Sequence, residues 1–214
     1  MKDIRVITIA REYGSGGAVI GQGLAARLGW KHLDKEIILE LARRANVRPS
    51  DMAQMDENPG SFISRLLKAF WLGNAYAWYG PATQIADPDY VAELTGMVIA
   101  EAAKLDRCVI VGRGAQCVLR DRDDAFHVFL YGSREERLKR ILTRHPTREA
   151  CEAALGEFDH MRGSYIRQYY KCDWANPHLY HLMVNSDIGL DHTEALILSA
   201  AGLTAHESAL TAIH

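Results

Sequence analysis

Short runs of apolar residues alternate along this chain with segments in which apolar residues recur every three or four positions. The first run, from Ile4 to Ile9, has the length of a strand, and the following Ile20, Leu24 and Leu28 share one helical face. The same pattern predicts further strands at 30–33, 108–111, 125–131 and 180–184, and helices at 35–45, 91–105, 133–142 and from 191. Near-continuous apolar strands separated by helices predict a three-layer α/β fold, in which a parallel sheet has helices on both faces.

Polar residues and glycines predict where several of these helices begin and end. Ser133 and Glu136 have the spacing of a capping box, in which each side chain bonds to the backbone N–H of the other residue. Asp191 with Glu194 predicts the cap of the last helix, and Gly29 predicts the end of the first.

The length of the chain bounds its organisation. Its 214 residues suffice for one domain with a full core, and the sequence shows neither an internal repeat nor a low-complexity tract. We therefore predict a single domain over residues 1–214 that carries two insertions on its α/β body, at 46–90 and 144–178. The first of them contains Pro49 and Pro59, which are typical of a loop or an irregular connection.

Composition narrows the class of protein. Its 25 Lys and Arg residues against 27 Asp and Glu give a formal net charge of −2, which argues against a protein that binds nucleic acid mainly through bulk charge. No stretch approaches the ~20 apolar residues that cross a membrane, and the first residues do not have the pattern of a signal peptide. The four scattered cysteines and nine dispersed histidines lack metal-ligand spacing. We expect reduced thiols, no metal site and a cytoplasmic location.

A glycine-rich segment, Gly14-Ser15-Gly16-Gly17, lies between the first strand and the first helix. Glycines in this position let the backbone fold tightly around an anion, with amide groups and the helix N-terminus directed at it. The segment therefore predicts a phosphate site. The alternative is a merely tight turn between strand and helix, for which one or two glycines would suffice. The lysine and the hydroxyl residue that end a complete P-loop motif are missing.

The residues from Ile7 to Trp30 resemble the opening of bacterial cytidylate kinases, which belong to the nucleoside monophosphate kinases. The run 11–17 is similar to that of a variant group, the cytidylate kinase-like family. The resemblance extends from Ile4 to about Ala200 and is weakest over 46–90. It implies a P-loop kinase fold, with 46–90 on the acceptor side and 144–178 as the lid region. It also implies ATP and Mg²⁺ as cofactors and phosphoryl transfer to a nucleoside monophosphate, CMP or dCMP by default.

Three positions of the loop depart from the usual kinase pattern. On the pairing that the resemblance gives, Arg11 replaces the first P-loop glycine, Gly17 the lysine and Val19 the threonine on the magnesium side. Arg11 is the nearest substitute for the lysine, because arginine can contact phosphate with two N–H groups. The alternative for Arg11 is a surface ion pair with Glu12 or with a helix. The hydroxyl of Ser15 could serve phosphate or magnesium, or cap the helix.

Two further clusters follow other strands. The resemblance implies acceptor binding by Asp34, whose alternative role is a helix N-cap. The acceptor arginine of the family pattern is Glu40 here, and Arg43 or Arg44, one turn further on, is the candidate substitute. Gly112-Arg113-Gly114 ends a buried strand at the sheet edge where open α/β folds bind ligands. Arg113 matches the arginine of the Gly-Arg-Asp motif of cytidylate kinases, and a structural ion pair is the alternative.

The lid region supplies the last set of candidate cations. Arg134, Arg137 and Arg140 lie on the helix after the fourth strand, and 159–162 resembles the D-x-x-R signature of the family lid. Such cations stabilise the charge that spreads over the phosphoryl oxygens in the transition state. From the resemblance we expect catalytic roles for Arg11, Arg113, Arg162 and Arg167. We expect the donor nucleotide to be bound by Gly14, Ser15, Gly16, Gly17 and Arg137, and the acceptor by Asp34, Arg43 and Arg113. For Arg134 a solvated pairing with Glu135 and Glu136 is the favoured interpretation.

Aromatic residues are concentrated in the segment 62–79. They predict a homodimer interface or a buried insert, with stacking on a nucleobase as the alternative. For the whole chain, the leading hypothesis is a kinase acting on a small-molecule nucleotide, without nucleic acid or membrane partners. The competing hypotheses are a kinase for another small molecule and a nucleotide-binding regulatory protein that has lost turnover.

Overall fold

The structure, a computed structural model, describes residues 3–34, 88–142 and 147–203. The strands of these ranges are β1 (Val6–Arg11), β2 (Lys31–Leu33), β3 (Cys108–Val111), β4 (Ala125–Tyr131) and β5 (Leu182–Asn185). The α-helices of the same ranges are α1 (Gly17–Leu28), α2 (Pro88–Leu105), α3 (Ala115–Val118), α4 (Arg134–Ile141), α5 (Arg148–Tyr170) and α6 (Leu190–Ala200). Single turns of 3₁₀-helix at Pro177–Leu179 and Ser186–Ile188 flank β5.

The five strands form one parallel sheet in the order β2-β3-β1-β4-β5. At its centre, β1 pairs with β3 on one side, with Val6 opposite Cys108, and with β4 on the other, with Val6 opposite Ala125. The two sheet faces are covered separately, because successive strand residues point to opposite sides. Val6 packs in a cluster with α2 and α3, whereas Ile7 and Ile9 pack with α1 and α6. The predicted three-layer α/β fold is confirmed.

Element boundaries differ from the sequence prediction at several points. The strand predicted at 180–184 begins two residues later, because Tyr180 still belongs to the end of the 3₁₀-turn and its hydroxyl donates to the Trp174 carbonyl at 2.7 Å. Helix α2 begins at Pro88 instead of 91, since proline suits the first turn of a helix. Most of the lid region is the 23-residue α5. The helix predicted at 35–45 and the segment 46–87 lie outside the described residues.

The helix-cap predictions have different outcomes. Ser133 accepts the N–H of Glu136 at 3.3 Å as predicted, but its own N–H donates to Asp187 instead of Glu136. Only half of the capping box therefore forms. Gly29 ends α1 in a left-handed conformation, with φ of +66°, which confirms that prediction.

The cap predicted for the last helix is wrong. Gly189 is the N-cap of α6 and offers no side chain, and Asp191 lies inside the first turn. Glu194 is buried against α1 and pairs with Arg27 at 3.2 Å. Its carboxylate is thus used between two helices.

The carboxyl ends of all five strands lie along one edge of the sheet, because the strands are parallel. The glycine-rich loop, the turn after β3 and the turn after β4 are therefore neighbours, and α5 packs over the first of them. In open α/β sheets this edge is where ligands bind. No helix in the described part of the chain is both long enough and apolar enough to span a membrane.

Candidate active site

The glycine-rich loop has a backbone that other residues would not adopt easily. Gly14 and Gly16 have φ of +83° and +86°, in the left-handed region that glycine tolerates. Neighbouring atoms also exclude side chains: a Cβ on Gly14 would lie 2.7 Å from the Arg137 carbonyl oxygen, and one on Gly16 would lie 2.5 Å from Leu190. Gly16 is the N-cap of α1, and no side chain of the described residues caps this helix. The first amides of α1 therefore remain for an anion.

Ser15 holds the loop closed. Its side chain is fully buried, and its hydroxyl donates to the Glu12 carbonyl at 2.8 Å. The backbone N–H of Ser15 also points to that carbonyl, at 3.3 Å. The hydroxyl neither caps α1 nor faces solvent, so the structure gives Ser15 a part in the loop geometry.

The side chain of Arg11 crosses the beginning of α1. A Cβ on Gly17 would lie 2.7 Å from the Arg11 Cγ and 3.3 Å from its Cδ. A Cβ on Gly112, at the end of β3, would overlap the Arg11 guanidinium. Arg11 therefore reaches from the end of β1, past Gly17, to the turn after β3.

The carboxylate of Asp159 joins the lid region to the glycine loop. From the middle of α5 it accepts the backbone N–H of Tyr13 at 2.6 Å and the guanidinium of Arg137 at 2.6 Å. Arg162, one helical turn further along α5, lies 3.5 Å from the same carboxylate. One carboxylate thus holds the loop backbone and two cations together.

Arg162 lies directly on the end of β1. Its guanidinium donates to the Arg11 carbonyl at 3.0 Å and lies over the Tyr13 ring at 5.6 Å from the centroid. Burial lowers the pKa of the Arg162 guanidinium from its ordinary value, and the nearby Asp159 carboxylate opposes that shift. The predicted D-x-x-R pair is therefore brought to the loop.

Arg137 and Arg140 of α4 contact the loop from the other side. Arg137 donates to the Tyr13 carbonyl at 3.3 Å, and its Nε lies 3.4 Å from the Glu12 carboxylate. Burial raises the pKa of Glu12, and the charge of Arg137 opposes that effect. Arg140 donates to the Gly14 carbonyl at 3.4 Å and to the Ser186 hydroxyl after β5 at 2.9 Å.

The turn after β3 has three successive residues with positive φ. Gly112, Arg113 and Gly114 have φ of +83°, +56° and +73°. The left-handed conformation costs an arginine about 1–2 kcal/mol, so the surrounding structure must hold it there. The guanidinium of Arg113 lies 5.4 Å from the centroid of the Tyr165 ring. Tyr170 donates to the Arg113 carbonyl at 3.4 Å.

Arg113 has no carboxylate partner within the described ranges. Its Nε–H is buried there without a hydrogen-bond acceptor. The ion pair considered as an alternative role for Arg113 is therefore not formed with any residue that the structure describes. A guanidinium with unused donors at the carboxyl edge of the sheet is suited to an anionic ligand.

The remaining predicted residues lie apart from this cluster. Asp34 follows β2 at the same sheet edge. Burial lowers the pKa of His32, and the charge of Asp34 opposes that shift. Arg167 is exposed on the last turn of α5, away from the loop contacts described above. Arg134 is exposed as predicted, but its partner is Glu152 of α5, at 3.1 Å. Arg43 lies outside the described residues, and so does the aromatic segment 62–79.

Sequence reasoning missed two features of the site. Glu12 was considered only as a surface partner, yet its carboxylate accepts the Gly132 N–H at 3.2 Å and faces Arg137. Tyr165, under Arg113, was not considered. Helical spacing could have found it, because residues 159, 162, 165 and 166 share one face of a helix.

A family model covers most of the chain. The model of the cytidylate kinase-like family matches residues 6–188, from the first strand to the turn after β5. The chain belongs to the cytidylate kinase-like family. The family resemblance stated from the sequence is thereby confirmed, and it supports a phosphotransferase in the broad sense. No functionally curated protein matches the chain.

Several solved structures are similar to this cytidylate kinase-like chain, to different degrees. An uncharacterized protein from Eubacterium ventriosum ATCC 27560 has a TM-score of 0.69 at 23% identity, with 94% of this chain and 99% of that chain covered. Shikimate kinase from Bacteroides thetaiotaomicron has a TM-score of 0.48 at 14% identity, covering 92% and 98% of the two chains. Shikimate kinase from Acinetobacter baumannii has the same TM-score at 17% identity, covering 92% and 94%.

Proposed function

We propose that this protein transfers the γ-phosphoryl group of ATP to a small phosphorylated acceptor, with CMP or dCMP as the first acceptors to test. The observation that carries the proposal is the glycine-rich loop at the carboxyl edge of the sheet. Its left-handed glycines lead into the N-terminus of α1, which no described side chain caps, and the guanidinium groups of Arg137 and Arg162 bond to the backbone carbonyls of Tyr13 and Arg11 just before the loop.

The loop fits a polyphosphate. Phosphate oxygens need donors from backbone amides and from cations, and the beginning of α1 offers amides that no described side chain occupies. Arg11 is our candidate for the missing ammonium group. Its aliphatic stem lies where a side chain at position 17 would begin, so arginine from the strand takes the space that a lysine on the helix would use.

Mg²⁺ would fit this site through the phosphates of the nucleotide and not through protein ligands. Val19 is 52% exposed and offers no oxygen, the Ser15 hydroxyl is bound to Glu12, and the described residues contain no group of three potential metal ligands. Mg²⁺ usually keeps several waters and binds through substrate phosphates. In that form it would neutralise charge on the phosphates of ATP. We therefore propose that Mg²⁺ arrives with the nucleotide.

The arginines of the cluster would position the reacting groups and stabilise charge. Arg162 and Arg137 are fixed at the loop by Asp159, so their positive charge is held in place before a ligand binds. Arg113 has a free Nε–H and lies one strand closer to β2, the side on which the resemblance implies the acceptor. We assign Arg113 to the acceptor phosphate and Arg162 to the transferred group. Asp34 and Arg43 complete the proposed acceptor side. Arg167 joins the proposal only if α5 moves when ligands bind.

The decisive experiment is an acceptor panel in a coupled assay of ADP formation. Each nucleoside monophosphate, together with shikimate as a non-nucleotide acceptor, is incubated with MgATP and the full chain. We expect Mg²⁺-dependent ADP formation with one acceptor, and loss of about 10²–10³-fold in turnover in Arg113→Ala. Arg120→Ala, which removes an exposed arginine that pairs with its neighbour Asp121 at 3.4 Å, is the matched control.

Thermal unfolding separates the two classes of outcome. If ATP raises the melting temperature but no acceptor produces ADP, the protein is a nucleotide-binding protein without turnover, and the phosphotransferase proposal is wrong. If neither ATP nor inorganic triphosphate stabilises the fold, the phosphate site itself is rejected, because a ligand that binds the native state must stabilise it.

A further inference from the structure

The end of the lid helix packs against the turn that carries Arg113. A Cβ on Gly114 would overlap the Tyr170 ring, and the Tyr170 hydroxyl donates to the Arg113 carbonyl at 3.4 Å. Further along the chain, Tyr180, at the end of the 3₁₀-turn before β5, lies against α3, with its hydroxyl 3.5 Å from the Gln116 amide nitrogen. The residues just after α5 are thereby held against α3.

Two cysteines lie at this junction. Cys117 is in α3, one residue after Gln116, and Cys172 follows Tyr170 by two residues. The Cys172 thiol donates to the Tyr170 carbonyl at 3.2 Å, and Cys172 is close enough to the Cys117 thiol to help raise its pKa. Cys172 is partly exposed, whereas Cys117 is buried. An oxidant therefore has access to one sulfur of two neighbouring cysteines.

We propose that Cys117 and Cys172 form a reversible disulfide that ties the end of the lid helix α5 to the turn carrying Arg113. The other two cysteines of the chain, Cys108 and Cys151, are buried in β3 and in the first turn of α5. The bond would be a redox modification site in a chain whose thiols are otherwise reduced.

The chemistry requires an oxidant, for which we name a low-molecular-weight disulfide. The Cys172 sulfur attacks one sulfur of glutathione disulfide, so that a mixed disulfide forms and one glutathione leaves. The Cys117 sulfur then attacks the Cys172 sulfur, the protein disulfide forms, and the second glutathione leaves. The two thiol protons end on the two glutathione molecules, and the two electrons that the protein loses reduce the reagent.

The second step should be the slow one. Burial raises the pKa of the Cys117 thiol to about 12, so only a small fraction is the nucleophilic thiolate near neutral pH. The rate of closure should rise about tenfold per pH unit in this range, because the thiolate fraction does so. The proximity of the two cysteines offsets this penalty, since the attack is intramolecular.

The disulfide also has a consequence for the site. Asp159 and Arg162 reach the glycine loop from α5, and the bond would fix the end of that helix beside Arg113. Any step that requires α5 to move would then slow down. This second part rests on the proposed function, whereas formation of the bond does not.

The test is a timed reaction of the full chain with glutathione disulfide, followed by intact mass measurement and by peptide mapping without reduction. We expect a transient glutathione adduct on Cys172 that converts to a protein lighter by two hydrogens, with 117 and 172 in one linked peptide. Cys117→Ser and Cys117→Ala should both stop at the adduct. Cys172→Ser should form neither species, and Cys151→Ser should behave as the unmodified chain does.

Each outcome decides the proposal. A chain that never loses two hydrogens, a linkage that involves Cys108 or Cys151, or closure that persists in Cys172→Ser would overturn it. Hydrogen exchange of the amides at 168–172 should slow in the oxidised protein and recover after reduction. Turnover is measured separately on the oxidised and reduced forms. If the linked protein has unchanged turnover, the disulfide is established and only its proposed effect on the movement of α5 is rejected. If neither form produces ADP, the result counts against the proposed function.

Discussion

Arg11 and Gly17 share one space: the Cγ of Arg11 lies 2.7 Å from the point where a Cβ on Gly17 would stand. Real Cβ atoms do not approach another carbon so closely, and the contact is near the root of the arginine, where the side chain has little freedom to turn away. A glycine at the start of α1 and an arginine at the end of β1 therefore depend on each other. On the pairing that the resemblance gives, Arg11 replaces the first P-loop glycine and Gly17 replaces the lysine. The contact between the two positions links these departures as one exchange of glycine and a cationic residue.

Gly17→Ala should be destabilising, and Arg11→Ala should rescue it. Overpacking of this kind costs about 1–3 kcal/mol in the free energy of unfolding, because Arg11 or the helix start must move. Arg11→Ala removes the contacts with Cγ and Cδ and leaves only the Cβ of residue 11, 3.1 Å from the new methyl group, so the double variant should recover most of the loss, with a coupling of about 1–2 kcal/mol. Urea denaturation of the four proteins measures the cycle. Additive effects would mean that the two positions are independent.

The same exchange predicts a functional rescue. Gly17→Lys alone should lose ATP binding, because its stem collides with Arg11. Arg11→Gly/Gly17→Lys places glycine and lysine where the usual kinase pattern has them, and it should bind ATP more tightly than either single variant does. Calorimetric titration with MgATP gives the comparison. If the double variant binds no better than Arg11→Gly, the Arg11 side chain does not stand in for a loop lysine.

Arg113 should matter for activity and not for folding. Its φ of +56° is unfavourable for arginine, so Arg113→Gly should fold as stably or gain up to about 1 kcal/mol. The same variant should lose turnover about 10²–10³-fold, because the guanidinium that we assign to the acceptor phosphate is gone. Urea denaturation and the ADP assay are run side by side. A large loss of stability in Arg113→Gly would instead indicate that the stacking on Tyr165 is structural.

The fold was accessible from the sequence because it depends on local pattern. Apolar runs and helical spacing give the strands and helices, and Ser133 or Gly29 mark ends through contacts within one turn. The prediction failed where a side chain finds a partner far along the chain. Glu194 was expected to cap its own helix but pairs with Arg27, and the N–H of Ser133 bonds to Asp187.

Some features of the candidate site could likewise be predicted from the sequence, and others could not. The glycines could be identified from their position between strand and helix and the D-x-x-R pair from the family resemblance, and the structure brings Arg162 and Arg137 to the loop. Side-chain direction could not be read from the sequence. Ser15 turns inward to Glu12, and Arg167 remains on the exposed side of α5, one position away from the buried Ile166. A shift of one residue along a helix turns the side chain by about 100°.

Asp159 should hold the lid helix to the loop. Asp159→Asn removes the charge that faces Arg137 and Arg162 and weakens the bond from the Tyr13 N–H, so the free energy of unfolding should fall by about 1–3 kcal/mol. Hydrogen exchange at the Tyr13 amide should accelerate. Glu152→Gln is the control, since Glu152 pairs with Arg134 and Arg148 on the surface, where ion pairs contribute about 0–1 kcal/mol. Equal effects of the two substitutions would contradict a special role for Asp159.

The buried His127 predicts how stability depends on pH. Burial, assisted by the neighbouring His181, lowers the pKa of His127 to about 4 from its ordinary 6.5, and the Nδ1 atom lies 2.8 Å from the Thr8 hydroxyl. The folded protein therefore keeps His127 neutral at a pH at which the unfolded chain already binds a proton. Its contribution to the free energy of unfolding is complete above about pH 6.5 and falls toward pH 4, by up to about 1.4 kcal/mol per unit.

His127→Phe isolates this effect, because a phenyl ring keeps most of the volume and does not titrate. Urea denaturation between pH 4 and 7 should show a smaller loss of stability on acidification in His127→Phe than in the unmodified chain. The slopes are compared and not the absolute stabilities, since the variant also leaves the Thr8 hydroxyl without its partner. Glu12, whose pKa burial raises, is present in both proteins and cancels from the comparison. His178→Gln, at an exposed position, is the control and should keep the original dependence of stability on pH. Identical pH dependence in all three proteins would show that His127 is protonated equally in the folded and unfolded states.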